Sequence, residues 1–204
     1  MNKGVALLSG GIDSPVAIHI VSDRMEVIAV HFHQQALTDG SEIEKVKRLA
    51  VILGVKRVFL VPFTEVFTTL ATKCDHRDYY ILGKVAMLTC AQMICDRENA
   101  AFLITGENLG QVSSQTLSNL TTITSFISTP ILRPVLTYDK QETIAIAHKI
   151  GTYETSKGPE ICCLLGPKNP STKSTKEALE NELHKIDLKG LCMVALDNME
   201  DVRL

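Results

Sequence analysis

Val5-Ala6-Leu7-Leu8-Ser9-Gly10-Gly11-Ile12-Asp13-Ser14-Pro15 decides how the chain is read. Its first four residues are an unbroken apolar run, the pattern of a strand covered on both faces. Two adjacent glycines then free the backbone to turn sharply. Pro15 suits the first turn of a helix, and Ser14 suits the N-cap before it. Val16, Ala17, Ile20 and Val21 carry the helix onward. A strand, a glycine turn and a helix in direct succession form the opening unit of an α/β sheet.

The alternation continues downstream. Glu26 to Phe32 reads as a second strand. Ser41-Glu42-Ile43-Glu44 has the spacing of a capping box, and Ile43, Val46, Leu49, Ala50 and Leu53 follow at helical intervals up to Gly54. Val58 to Val61 is a third strand, stopped by Pro62. Tyr79 to Arg97 has few breakers and reads as a long helix. Ala101 to Ile104 is a fourth strand, ending in Thr105-Gly106-Glu107. Ile131 and Leu132 form a short fifth strand before Pro134. Asp139 and Glu142 cap a helix that ends near Gly151. Residues 157 to 175 are rich in Pro, Gly, Lys, Ser and Thr and read as a loop. A last amphipathic helix is predicted from about Ser174 to Lys185.

These elements predict an α/β fold: a doubly wound, mostly parallel sheet of about five strands with helices on both faces. Residues 1–156 form the expected core, with 157–204 as a loop and helix appendage of the same domain. Sheets of this kind take ligands at the carboxyl ends of their strands, near the switch in strand order. Ser9-Gly10-Gly11 and Thr105-Gly106-Glu107 both follow strands directly, so they are expected on one rim.

Composition narrows the classes. The chain has 204 residues, 45% of them hydrophobic and 22% charged, enough for a core without disulfides or metal. With 21 basic and 23 acidic residues the net charge is −2, which excludes nucleic-acid binding driven by overall charge but not a local basic groove. Lysines at 168, 173 and 176 supply a candidate for such a patch, as well as for an ordinary solvated loop. No apolar run approaches the ~18 residues of a membrane span. Met-Asn-Lys-Gly at the start lacks a signal-peptide layout, so a cytoplasmic location is expected. The six cysteines (Cys74, Cys90, Cys95, Cys162, Cys163 and Cys192) include no C-x-x-C pair, against a zinc ribbon.

The turn itself carries chemistry. Gly10 and Gly11 let backbone amides approach an anion, and the helix that follows points its positive end at the same place. Ser9 and Ser14 add hydroxyl donors. Asp13 would repel a bare phosphate, and is better placed as a magnesium contact or a helix cap. The pattern is neither a Walker A loop nor a dinucleotide fingerprint. His31 and His33 alternate at the end of the second strand, with no third ligand to suggest zinc.

Ser9-Gly10-Gly11-Ile12-Asp13-Ser14 resembles the S-G-G-x-D-S loop of the PP-loop ATP pyrophosphatase superfamily. Members bind ATP, release pyrophosphate and leave an adenylated substrate. The run from Thr105 to Thr116 (Thr-Gly-Glu-Asn-Leu-Gly-Gln-Val-Ser-Ser-Gln-Thr) and Ile131-Leu132-Arg133-Pro134, followed by Tyr138-Asp139-Lys140, narrows the likeness. They are similar to the catalytic domain of the tRNA 4-thiouridine synthetases, sulfurtransferases also linked to thiamine thiazole synthesis. The likeness extends from Leu7 to about Lys176.

The resemblance implies an adenine nucleotide alpha hydrolase-like (HUP) fold. It implies that ATP adenylates the C4 oxygen of the uridine at tRNA position 8, and that a persulfide sulfur then displaces AMP. Leu8, Ser9, Gly10, Gly11, Asp13, Ser14, His31, Phe32, Gly106 and Gln111 would hold ATP, with Asp13 on Mg2+. Lys140 would neutralise charge on the phosphates; read alone, it is a surface lysine in a first helical turn. Cys162, in Pro159-Glu160-Ile161-Cys162-Cys163, matches the family's sulfur-handling cysteine and stands with Asp13 and Lys140 as catalytic. The sulfur donor would be a persulfide, such as that of a cysteine desulfurase. Some relatives use an iron–sulfur cluster on a C-x-x-C pair, a spacing not found after Cys162.

The family's enzymes carry N-terminal tRNA-gripping domains, and some a C-terminal rhodanese domain. This sequence shows neither, so either help from a separate tRNA-binding chain is expected, or a substrate other than tRNA; a homodimer of the core is a further expectation. Two other readings stay open. One is adenylation of another acceptor, such as a thiazole-synthesis carrier protein or a small molecule. The other is an ATP-binding module without catalysis.

Overall fold

The structure is a computed structural model that describes residues 2–158 and 165–204. Its order is β1 (Asn2–Leu7), α1 (Asp13–Ser22), β2 (Met25–His33), α2 (Ser41–Ile52), β3 (Arg57–Pro62), α3 (Thr64–Lys73), α4 (Tyr79–Glu98), β4 (Phe102–Ile104), α5 (Leu117–Thr124), β5 (Ile131–Leu132), α6 (Lys140–Lys149), α7 (Tyr153–Ser156), α8 (Lys176–Leu183), α9 (Leu188–Asp197) and β6 (Glu200–Arg203). The strands form one sheet in the order β5-β4-β1-β2-β3-β6. Neighbours are parallel except β6, which runs antiparallel to β3. The expected mostly parallel α/β sheet is therefore present, with six strands among the described residues where the sequence suggests about five.

Strand alternation divides the core. Val5, Ile28, Val30, Phe59 and Val61 face one layer, packed with residues of α3, α4 and α9. Ala6, Leu8, Ala29, Val58 and Leu60 face the other, against Ile18 and Val21 of α1 and Ile43, Val46 and Ala50 of α2. Successive residues point to opposite faces of a sheet, so strands covered on both sides must be apolar throughout. α4 is buried on most of its circumference, which explains its unbroken apolar character.

Several local readings need correction. Ser14 is not an N-cap: α1 begins at Asp13, its N-cap is Ile12, and Ser14 is buried inside the first turn. Ser41 likewise starts α2 rather than capping it. The N-cap is Gly40, in the left-handed region at φ 77°, and Asp39 Oδ1 accepts from the Ser41 amide at 3.0 Å. The second capping box is present, since Asp139 and Glu142 exchange bonds of 2.7 and 2.8 Å.

The predicted elements omit α3, α5, α7, α9 and β6. The tail contributes more than a loop and one helix. β6 pairs Val202 with Val58, and Arg57 binds Asp201 at 2.8 and 2.9 Å and Glu98 at 2.6 Å. These bonds staple the end of the chain to β3 and α4.

Strand order reverses at β1. The chain runs β1, β2, β3 toward one edge, then crosses to place β4 and β5 on the other side of β1. The carboxyl ends of β1 and β4 therefore flank the switch point, where connections diverge and a crevice opens.

Candidate active site

A cleft of about 1010 Å³ opens at that switch point. Its floor is the carboxyl ends of β1, β2 and β4: Leu7 and Leu8, Val30 to Phe32, and Thr105 with Gly106. Ser41, Glu42 and Lys45 of α2 and Tyr80, Gly83, Lys84 and Met87 of α4 form the walls. Residues 111–115, with Lys157, Gly158 and Pro170, complete the rim.

The loop between β1 and α1 is held by its own serines. The Ser9 amide donates to Ser14 Oγ at 2.9 Å, and the two hydroxyls lie 3.0 Å apart. The Gly11 amide donates to Ser9 Oγ at 3.2 Å. This closed ring fixes the backbone before α1. Asp13, on the first turn, also lines the cleft. The arrangement is a preformed anion seat: a helix N-terminus, small residues and hydroxyls with one carboxylate beside them.

Gly106 completes the seat from β4. A Cβ there would lie 2.5 Å from the Ser14 nitrogen and 2.6 Å from its Cα. Only glycine lets the two loops meet so closely. Gly10 sits under Lys45, whose Cδ would be 3.0 Å from an added Cβ. Lys45 Nζ reaches across the cleft to the carbonyls of Ser156 and Gly158, at 3.1 and 3.3 Å.

His31 Nδ1 lies 2.9 Å from the Leu8 carbonyl, which fixes the proton on Nδ1 because a carbonyl only accepts. Burial lowers its pKa to about 4; the Leu8 bond opposes that shift and His33 adds to it. The imidazole is thus neutral near pH 7, and Nε2 is a buried acceptor with no partner among the described residues. His33 is also lowered, chiefly by burial, against the pull of Glu42 and Glu200. Phe32 lines the cleft and packs on Phe63 with ring centroids 4.6 Å apart.

The turn after β4 is heavily bonded. Arg133 Nε donates to Glu107 Oε2 at 2.7 Å, and Thr105 Oγ1 donates to the same oxygen at 3.0 Å. Asn108 Nδ2 donates to the carbonyls of Val135 and Tyr138. The Asn108 backbone amide donates to Gln115 Oε1 at 3.0 Å.

The structure therefore gathers Leu8, Ser9, Gly10, Gly11, Asp13, Ser14, His31, Phe32, Gly106 and Gln111 around one cleft. Lys140 is not among the cleft residues. It is exposed at the first position of α6, two residues after Tyr138, whose carbonyl Asn108 holds. Cys162 and Cys163 lie outside the described residues; Gly158, four positions before Cys162, lines the cleft. Cys90, Cys95 and Cys192 are core residues, and burial raises the Cys95 thiol to about 12.

Sequence reasoning, which expects Lys84 and Lys157 near the rim, misses Lys45, Gln34 and Gln115 as cleft residues. Gln115 lies within the Thr105–Thr116 motif, which is the signal that could have found it. Lys45 lies on an amphipathic helix, where one lysine looks like any other.

The family model for thiamine biosynthesis protein (ThiI) matches residues 1–188. The chain belongs to the ThiI family. Among curated ThiI-like relatives, a probable tRNA sulfurtransferase of Acetivibrio thermocellus is 39% identical over 205 residues, covering 97% of this chain and 52% of the relative. One of Thermus thermophilus is 40% identical over 203 residues, covering 96% of this chain and 50% of the relative. The chain thus spans about half the length of the curated relatives it matches. A solved 4-thiouridine synthetase in complex with RNA and bound ATP superimposes with a TM-score of 0.93 and 34% identity, over 98% of this chain and 55% of that one. These likenesses agree with the expected fold and family. Among the described residues no helix is long and apolar enough to cross a membrane.

Proposed function

We propose that this chain is the ATP-activating core of a tRNA sulfurtransferase, acting in the cytoplasm. The observation that carries the reading is the anion seat built from Ser9–Ser14 and sealed by Gly106 at the sheet's switch point. ATP would lie with its phosphates on the α1 N-terminus and its adenosine toward Leu8, His31 and Phe32. The C4 oxygen of a uridine, at tRNA position 8, would attack the α-phosphorus, expelling pyrophosphate. A sulfur carried as a persulfide, supplied by a donor such as a cysteine desulfurase and handled by Cys162, would then replace AMP.

The loop would do its work electrostatically. Fixed amides and a helix dipole stabilise charge on the phosphates at no reorganisation cost. Magnesium is commonly held by one or two carboxylates together with substrate phosphates. Asp13, lining the cleft on the first turn of α1, fits that pattern. Bound there, the ion would neutralise the phosphates. The cysteines expected for an iron–sulfur cluster, Cys162 and Cys163, lie outside the described residues. Lys84 and Lys45 bring positive charge to the walls. Grip on tRNA would come from the lysines near the rim, from another part of the protein or from a separate chain.

The test is product analysis with ATP, an unmodified tRNA transcript and a persulfide donor, a cysteine desulfurase with cysteine. AMP and pyrophosphate are expected, and only with the RNA present. ADP and phosphate as products would overturn the reading.

A further inference from the structure

The mechanism above leaves a buried carboxylate unused. Glu107 is 2% exposed and lines the cleft directly after Gly106, which packs on the Ser14 backbone. Its Oε2 is saturated by Arg133 Nε at 2.7 Å and Thr105 Oγ1 at 3.0 Å. Arg133 is itself fixed, donating from Nη2 to Thr124 Oγ1 at 2.9 Å. Oε1 is buried with no hydrogen-bond partner among the described residues. An unmade bond on a buried charged group is costly, so such an atom calls for a donor. Phosphate oxygens beside the α1 N-terminus are acceptors and cannot supply it.

The proposed reaction has a matching need. When the C4 oxygen of uridine bonds to the α-phosphorus and the bond to pyrophosphate breaks, the C4=O double bond becomes C4=N3. The proton on N3 must then leave. When sulfur later replaces AMP at C4, N3 takes a proton back.

We propose that Glu107 Oε1 is the acceptor for the pyrimidine N3–H: it receives the proton during adenylation and returns it during thiolation. Arg133 and Thr105 hold the other oxygen and so fix the carboxylate in place. The proposal rests on the uridine-adenylating reading.

The experiment compares the wild type with Glu107→Gln on tRNA transcripts carrying uridine or 5-fluorouridine. Fluorine withdraws electrons and makes N3–H more acidic, so less help from a base is needed. On uridine RNA the variant should lose about 10²- to 10⁴-fold in kcat, the usual worth of a general base, with ATP binding within about threefold. On 5-fluorouridine RNA that loss should shrink at least about tenfold. An equal loss on both RNAs, or a loss of ATP binding, would overturn the proposal and leave Glu107 a structural residue. If Glu107→Gln fails to fold, Glu107→Asp keeps the charge beside Arg133 while withdrawing the oxygen by one methylene, and the same comparison applies. RNA-independent pyrophosphate release by the wild type would overturn the uridine reading itself, whatever the variants do.

Discussion

Gly106 and Ser14 are in backbone contact: a Cβ on Gly106 would stand 2.5 Å from the Ser14 nitrogen. The contact joins the end of β4 to the first turn of α1, so two loops far apart in sequence make one anion seat. Gly106→Ala must push backbone against backbone, since Ser14 cannot rotate away. The expected cost is about 1–3 kcal/mol in stability, as for other overpacked sites. ATP affinity should fall at least about tenfold, the equivalent of about 1.4 kcal/mol. Gly158→Ala is the control, because among the described residues its Cβ would meet only Lys45 Nζ, at 3.7 Å. Urea unfolding and calorimetric titration with ATP measure both effects.

His31 should make the fold sensitive to mild acid. Burial holds its pKa at about 4 in the folded protein, against the ordinary 6.5 of an exposed imidazole. The unfolded chain therefore binds a proton that the native state refuses. Stability is full above pH 6.5 and is lost as pH falls toward 4, by about 3 kcal/mol in all. His31→Gln should flatten that part of the curve. An unchanged slope in denaturant melts between about pH 7 and pH 4.5 would remove His31 as its source.

Asp13 and Lys140 separate two kinds of position. Asp13 lines the cleft, whereas Lys140 is exposed on α6. Asp13→Ala should abolish tRNA-dependent pyrophosphate release and leave the melting temperature near that of the wild type. Lys140→Ala is expected to do the same if α6 brings its first turn to the phosphates when ATP is bound. Activity retained by Lys140→Ala would return it to the status of a surface lysine.

Cys162→Ser should split the reaction. Adenylation needs no thiol, so pyrophosphate should still be released and the AMP should remain on the RNA. Sulfur transfer to the RNA, read by the near-ultraviolet absorbance of thiolated uridine, should stop. Thiolation at the wild-type rate would move the sulfur role to another cysteine.

Much of this site is written in short stretches of chain. The hexapeptide Ser9–Ser14 is legible because its hydrogen bonds are internal: Ser9, Gly11 and Ser14 close on one another within six residues. The Asp139–Glu142 box is legible for the same reason. Ser14 has the local signature of a cap, a serine before a proline, yet it caps nothing. What it bonds is the loop behind it, and that depends on how the loop curls.

The sequence alone determined the alternation of strand and helix, the glycine turns at the strand ends and the family motifs. Each rests on side-chain period or on backbone freedom over a few residues. The tertiary structure decided what those pieces share. It set Gly106 on Ser14, carried Lys45 to Ser156, paired Glu107 with Arg133 and laid Glu200–Arg203 along β3. That last strand, Glu-Asp-Val-Arg, has no apolar run to announce it. It exists because Arg57 and Phe59 on β3 offer an open edge, and because Asp201 can meet Arg57 across 144 positions of chain. Contacts of that kind are set by loop closure and packing, which local pattern does not encode.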